Sequence, residues 1–384
     1  MQFEFTTSDR IIFGPGTLRG AGPTIKKAGQ RPLVVTGKTA QRAEPLLQLL
    51  RENNIEAATF SVSGEPTIQT VRDGVALAKS ENCDWVIGIG GGSVLDAGKA
   101  IAAMMKNEGD VLDYLEIIGQ GKSLTKRPAR YMAIPTTAGT GSEVTRNAVL
   151  ASPEHRLKVS LRSLWMLPGI AVVDPELTYD LPPAITASTG LDALTQLIEP
   201  YVCLRSNPIT DSLCWEGIRR VARSFRKAVE KGDEKAARED MSMASLFGGM
   251  ALANAGLGAV HGLAGPIGGI FSAPHGEICA ALLPHVMEIN LRALRERVGK
   301  NYATNRYYHI ARMLTGNDHA TANAGIEWIR QLVSDFKIPR LSSHGIKPEH
   351  IEEIVKNAMN ASSMKANPIA LTEAELAEIL QRAL

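Results

Sequence analysis

The first half of the chain alternates short apolar runs, rich in β-branched residues, with stretches of helical periodicity. Residues 31–37 (RPLVVTG), 57–64 (AATFSVSG), 84–93 (DWVIGIGGGS), 130–137 (RYMAIPTT) and 170–176 (IAVVDPE) read as strands. Residues 43–54, 67–82 and 94–107 carry the spaced apolar positions of intervening helices. These strands are largely continuous apolar runs, which predicts a mostly parallel sheet with helices on both faces. Past LPPAITASTGLDALTQ (181–196) strand-like runs nearly disappear, and helical stretches continue to Leu384. Pro182 and Pro183 interrupt the chain at that change. The pattern predicts two domains, an α/β domain over 1–180 and an all-helical domain over 181–384, with no low-complexity linker and no solenoid-period repeat.

Composition narrows the function classes. At 384 residues with 44% hydrophobic and 21% charged positions, the chain reads as an ordinary soluble protein, and two cores fit its length. A net charge of +2 gives no electrostatic case for nucleic acid or anionic membranes. The cluster Arg219, Arg220, Arg223, Arg226 and Lys227 recurs at helical spacing and reads as a solvated helix face. Cys83, Cys203, Cys214 and Cys279 form no CxxC pair and suggest buried or reduced thiols. With no basic-then-apolar leader and no run of roughly 18 apolar residues, the expected location is the cytoplasm.

Two glycine-rich segments carry the first candidate chemistry. GIGGGSVLDAGKA (88–100) follows a strand and opens a helix, where glycines admit a phosphate to the backbone and the helix N-terminus offers free N–H donors. It does not fit G-x-G-x-x-G, and no lysine stands at P-loop spacing, so a ligand-free tight turn is the competing reading. PTTAGTGSEVTRNAV (135–149) adds the hydroxyls of Thr136, Thr137 and Thr140 beside flexible glycines. Two such loops after two strands of one sheet imply a nucleotide at the strand ends.

The helical half supplies the second. Asp192 and Gln196 lie four apart, on one face of a helix. His261 ends the run ALANAGLGAVHG, and His275 follows Pro274 at a helix start. One carboxylate and two imidazoles suit a catalytic divalent ion with open positions. Singly, each has a plainer reading: a hydrogen-bonded core histidine for His261, a cap for His275, a dipole-complementing first-turn residue for Asp192.

GGGSVLDAGKA, IPTTAGTGSEVT, DPELTYDLPP, TGLDALTQLIEPYV, AVHGLAGPIGG and PHGEICAALLPHVMEIN resemble, in order, the signature blocks of the iron-containing (group III) alcohol dehydrogenases. The matching blocks run from the strand at Leu33 to about Asn290. The resemblance implies the dehydroquinate synthase-like fold of that family: a dinucleotide-binding α/β domain, an all-helical domain, and metal and substrate in the cleft between them. It implies a homodimer built through N-terminal strands, here FEFTT and RIIFG, and a small-molecule alcohol or aldehyde as the substrate. It implies NAD or NADP as cofactor and a ferrous or zinc ion held at the positions of Asp192, Gln196, His261 and His275. Gly91, Gly92 and Ser93 then match pyrophosphate contacts, Thr136, Thr137 and Thr140 contacts to the phosphates and nicotinamide side, and Lys158 a contact to the ribose. The implied reaction is hydride transfer, the metal polarising the substrate oxygen and the nicotinamide accepting hydride from the carbinol carbon. His285 and the motif residues Asp96 and Glu143 read as orienting or structural groups.

Three positions depart from the family pattern. Gln196 stands where a histidine ligand is expected, which leaves either a weaker metal site or none. Gly265 stands where many relatives carry a histidine near the substrate, so the proton leaves through water or another group and the pocket gains room. Gly37 stands where NAD-preferring relatives often carry an aspartate, which makes NADP acceptable. The leading expectation is an NAD(P)-dependent alcohol dehydrogenase assisted by a metal at Asp192, His261 and His275. The alternatives are a metal-independent reductase of the maleylacetate reductase kind, a dehydroquinate synthase-like lyase, and a nucleotide-binding protein without catalysis.

Overall fold

A computed structural model describes residues 2–384. The chain divides into two units, each described in turn. The first comprises Thr7–Thr137 and Gly141–Asp180. The second begins at Leu181 and also takes in Ala138–Thr140 and the chain up to Thr6. Those two short pieces depart from the expected split, which gave all of 1–180 to the α/β domain.

The first unit is built on β1 (Arg10–Phe13), α1 (Gly22–Ala28), β2 (Pro32–Gly37), α2 (Glu44–Glu52), β3 (Ala58–Val62), α3 (Ile68–Ser80), β4 (Trp85–Gly90), α4 (Gly92–Met104), α5 (Val111–Tyr114), β5 (Tyr131–Pro135), β6 (Asn147–Ser152), β7 (Leu157–Arg162) and β8 (Ile170–Val173). Six strands form a wholly parallel sheet in the order β1-β8-β5-β4-β2-β3. Strands β4 and β5 are buried at every position, and β2 at all but Gly37, as expected for a sheet clothed on both faces. The chain leaves β2 for β3 on one side and leaves β4 for β5 on the other, so the strand order reverses between β2 and β4.

Three details differ from the sequence reading. RIIF forms β1, whereas the FEFTT segment forms no strand within the chain. The stretch after the threonine-rich loop is an antiparallel hairpin, β6–β7, paired from Asn147↔Arg162 to Ser152↔Leu157. Helix α4 begins at Gly92, not Val94, because Gly91 takes the extended backbone of an N-cap. The tight seat of α4 on the sheet requires glycine twice: a Cβ at Gly88 or at Gly98 would run into the phenol of Tyr131.

The second unit is all helical: α6 (Pro183–Val202), α7 (Pro208–Glu230), α8 (Lys235–Asn254), α9 (Ala259–Ile270), α10 (His275–Arg297), α11 (Tyr302–Thr315), α12 (Ala322–Asp335), α13 (Ile351–Met359) and α14 (Glu373–Ala383). Helix α6 is its axis, packed by α7, α8 and α10 and buried almost all round. Leu191, Leu194, Leu197 and Ile198 are shut from solvent there, each worth roughly 1.5–3 kcal/mol relative to exposure. The start of α6 is pinned by buried Arg238, which donates to the Leu181 carbonyl, Thr186 Oγ1 and the Gly232 carbonyl. The basic cluster on α7 is not simply solvated: Arg220 and Arg223 both grip Asp240 of α8, and Arg226 reaches Asp335 of α12. Among the described residues no single helix is long and apolar enough to cross a membrane.

Candidate metal centre and cofactor loops

Helix α6 carries a polar stripe at Asp192, Gln196 and Glu199, the i, i+4, i+7 positions of one face, inside an otherwise apolar core. Two helix starts are brought to it. At α9 the Glu199 carboxylate accepts from the Val260 backbone N–H at 2.7 Å, and Asn367 Oδ1 accepts from Ala259 N–H at 3.0 Å, satisfying orphan donors of the first turn. The other oxygen of Glu199 lies 2.7 Å from His261 Nδ1. This fixes the ring so that Nε2 faces Asp192, 3.6 Å from its Oδ1. At α10 a Cβ on Gly276 would stand 2.6 Å from the Ser188 carbonyl oxygen, so glycine lets the helix start close against α6. That approach puts His275 Nε2 3.7 Å from the same Asp192 Oδ1.

Asp192, His261, His275 and Cys279 each offer a ligand atom, all within 4.8 Å of one another. Asp192 Oδ1 is buried and accepts no hydrogen bond, although two imidazole nitrogens face it. An orphaned buried carboxylate oxygen at the focus of two imidazoles and a thiol fits a divalent cation in both charge and donor type. Gln196 does not offer its oxygen to Asp192: its Nε2 donates to Asp192 Oδ2 at 3.0 Å, and its Oε1 is buried without a partner. Burial by itself raises the Asp192 carboxyl, but His275, His261 and the Gln196 amide bring it below the usual carboxylate value. Burial likewise opposes the imidazolium of His261, yet Cys279, Glu199 and Asp192 raise it well above the ordinary histidine range. His275 is raised by Cys279 and Asp192 against burial, and the Cys279 thiol is lowered by His275 and His261 against burial. His285 and the remaining histidines lie outside this cluster.

Two members of the site lie beyond the sequence reading. Glu199 was signalled by its place seven residues after Asp192 on the same helix face. Cys279 follows His275 by four residues on α10, so the pair shares a face, but its closeness to His261 of α9 arises only from the packing.

In the α/β unit the cofactor candidates gather at the C-terminal ends of the strands. The backbone of Gly91, Gly92 and Ser93 forms the start of α4, with no side chain capping it. Thr136 N–H donates to the Gly90 carbonyl at 2.9 Å, and a Cβ at Gly91 would lie 3.5 Å from Thr137, so the two loops adjoin. Gly37 ends the neighbouring strand β2, across the point where the strand order reverses. Lys158, on β7, pairs with Glu65 at 3.1 Å, and Thr140 belongs to the helical unit. Beneath the loops Asp96 accepts from Ser142 Oγ at 2.6 Å and Val149 N–H at 3.0 Å, and pairs with buried Lys99. Burial lifts neighbouring Glu143 to about 7. The Asp96 contacts tie the loop and the hairpin to α4.

A parallel-sheet unit with phosphate-type loops, joined in one chain to a helical unit with a metal-type cluster, fits the class of nucleotide-dependent, metal-assisted enzymes. Residues 8–175 match the iron-containing alcohol dehydrogenase model, and residues 186–384 match the C-terminal model of the Fe-containing alcohol dehydrogenase family. The chain belongs to that family. It is 37% identical to alcohol dehydrogenase 4 of Schizosaccharomyces pombe over 97% of this chain and 87% of the relative. It is 36% identical to the 1,3-propanediol dehydrogenase of Klebsiella pneumoniae, over 99% of this chain and 98% of that one. A crystal structure of 1,3-propanediol oxidoreductase superposes with a TM-score of 0.92 at 36% identity, covering 100% of both chains. The protein is thus an oxidoreductase that interconverts an alcohol and an aldehyde or ketone, in a family that depends on NAD(P) and binds iron.

Proposed function

We propose that Asp192, His261 and His275 hold a divalent metal and that the substrate is a small alcohol or its carbonyl counterpart, such as a short diol. The observation that carries this reading is the buried, unpartnered Oδ1 of Asp192, faced by Nε2 of His261 and of His275. A metal there would act as a Lewis acid on the substrate oxygen, and a bound nicotinamide would exchange hydride with the carbon. The chain's own contribution is orientation: Glu199 sets the His261 tautomer, Gly276 sets the depth of His275, and Asp192 turns an unpartnered oxygen to both rings. Gly265, one helical turn after His261, leaves open space where a Cβ would meet no described heavy atom within 4 Å, which supports a roomier pocket.

The cofactor reading assigns the pyrophosphate to the N–H donors of Gly91, Gly92 and Ser93, with Thr136, Thr137 and Thr140 as hydroxyl partners. Lys158 would have to exchange Glu65 for the ribose. Gly37 leaves NADP as acceptable as NAD. A homodimer in the cytoplasm completes the proposal, supported by the ordinary composition and by β1 at the edge of the sheet.

One observation favours a metal-independent reductase instead: the Gln196 amide nitrogen already satisfies Asp192 Oδ2. A single experiment separates the two. The purified chain is assayed for bound iron and zinc and for NAD(P)H-linked turnover of 1,3-propanediol and short alcohols, before and after chelation. The expected result is about one metal per chain, with activity lost on chelation and restored by metal. Undiminished activity in metal-free protein would select the metal-independent reading.

A further inference from the structure

We infer that Cys279 is the fourth protein ligand of this metal site, a thiolate standing in for the imidazole that Gln196 lacks, and that it turns the site from iron towards zinc. The inference rests on the metal reading above and gives a ligand role to a residue that the sequence reading took as a buried or reduced thiol.

Its Sγ is buried, 3.6 Å from His275 Nε2 and 4.0 Å from His261 Nε2. Two donors on one tetrahedral zinc, at the usual bond lengths, stand about 3.6 Å apart for sulfur and nitrogen and about 3.4 Å for nitrogen and oxygen. Those two separations, and the 3.6 and 3.7 Å from the imidazoles to Asp192 Oδ1, stand within about 0.4 Å of those values, and all four donor atoms lie within 4.8 Å of one another. The second observation is Asp192 itself, 2% exposed, with an unpartnered oxygen aimed into the same space.

Position 196 turns its amide nitrogen to Asp192 Oδ2, whereas the Cys279 sulfur is gathered with the three. Position 279 reaches them because His275 and Cys279 share one face of α10, one turn apart. A thiolate and a carboxylate together neutralise a divalent ion, and the soft sulfur favours zinc over ferrous iron. The other three cysteines form no part of the cluster.

The test is cobalt substitution of the metal-stripped full chain, read by absorption. Cobalt bound beside a thiolate gives a near-ultraviolet sulfur-to-metal charge-transfer band, whereas cobalt bound by oxygen and nitrogen alone gives only the visible ligand-field bands. The wild-type protein is expected to show both. Cys279→Ser should keep the visible bands, lose the charge-transfer band and bind zinc at least about 100-fold more weakly, the upper end of what losing even an orienting partner costs. Cys279→Ala serves as a second variant, and the wild-type spectrum is decisive even if neither variant folds. Visible bands without a charge-transfer band in the wild type would overturn the thiolate ligand while leaving the metal site standing. No cobalt binding at all would overturn both.

Discussion

Glu199 and His261 meet through a 2.7 Å contact between a carboxylate oxygen and Nδ1, and the other oxygen of Glu199 is held by the Val260 N–H of the same helix start. The carboxylate therefore locks the ring to the helix that carries it and leaves Nε2 as the free donor. Partners of this kind orient a ligand and raise its basicity. Glu199→Gln keeps the shape but weakens the anchor, and we expect metal affinity to fall about 10- to 100-fold. Competition against a coloured chelator measures this. An unchanged affinity would mean that the contact serves packing alone.

Gln196→His puts an imidazole beside Asp192, on the same face of α6. Imidazole is a better donor than an amide for iron and zinc. Metal affinity is expected to rise by about tenfold or more, about 1.4 kcal/mol or more of binding free energy. In a Cys279→Ser background the same change should recover much of the lost binding. If neither protein binds metal more tightly, residue 196 does not point into the coordination sphere.

Gly276→Ala tests how closely α10 must approach α6. Its Cβ would sit 2.6 Å from the Ser188 carbonyl oxygen, a backbone atom that cannot swing aside. The helix start must withdraw, at about 1–3 kcal/mol by analogy with overpacked cores. His275 would withdraw with it. The expected outcome is a lower unfolding midpoint in denaturant together with weaker metal binding. A stable protein with intact metal affinity would show that α10 has slack there.

The framework of the α/β unit is legible because its central strands β2, β4 and β5 are short, apolar on both faces and separated by helical spacing. The hairpin β6–β7 is hidden although NAVLAS alternates more and less buried positions, because its first residues continue the threonine- and glycine-rich loop without a break. Helix α4 starts two residues before the position its apolar spacing predicts, because the N-cap is a glycine, which carries no side-chain signal. In the helical unit the placement of Asp192, His261 and His275 could be read from the order of the motif blocks. Cys279 could not, since spacing ties it to His275 alone and its nearness to His261 depends on how α9 and α10 pack. The role of Arg220 and Arg223 was also hidden, since their partner Asp240 lies on a different helix.

His285 provides a pH test away from the metal cluster. Burial lowers its pKa to about 4, helped by Arg330, Arg382 and Arg340 and opposed by Glu288. In the unfolded chain the ring titrates near about 6.5, so between those values the unfolded state binds the extra proton. Stability from the neutral ring is present above about pH 6.5 and is lost as pH falls towards about 4. The ceiling is about 3 kcal/mol, reduced because the ring is only part-buried. Denaturant unfolding of wild type and His285→Gln at several pH values should show the stability difference shrinking with acid across this window. A difference that stays constant would mean that neither burial nor those arginines lowers the pKa of the ring.

Cofactor choice should turn on Gly37. It ends β2 beside the start of α4, and a Cβ there would meet only Val94 Cγ2, at an ordinary 3.8 Å. Gly37→Asp should therefore fold without strain and set a carboxylate at the end of the strand where a ribose would lie. A charge there can pair with ribose hydroxyls but repels a 2′-phosphate. At about 4 Å and the effective dielectric of a protein surface, one such pair of charges is worth up to about 4 kcal/mol before screening. We expect kcat/KM with NADPH to fall by about 10- to 100-fold while that with NADH holds or improves, a split of roughly 1.4–2.7 kcal/mol. The ratio should narrow as salt rises, because the repulsion is screened. Equal losses with both cofactors would mean that the ribose does not lie at this strand end.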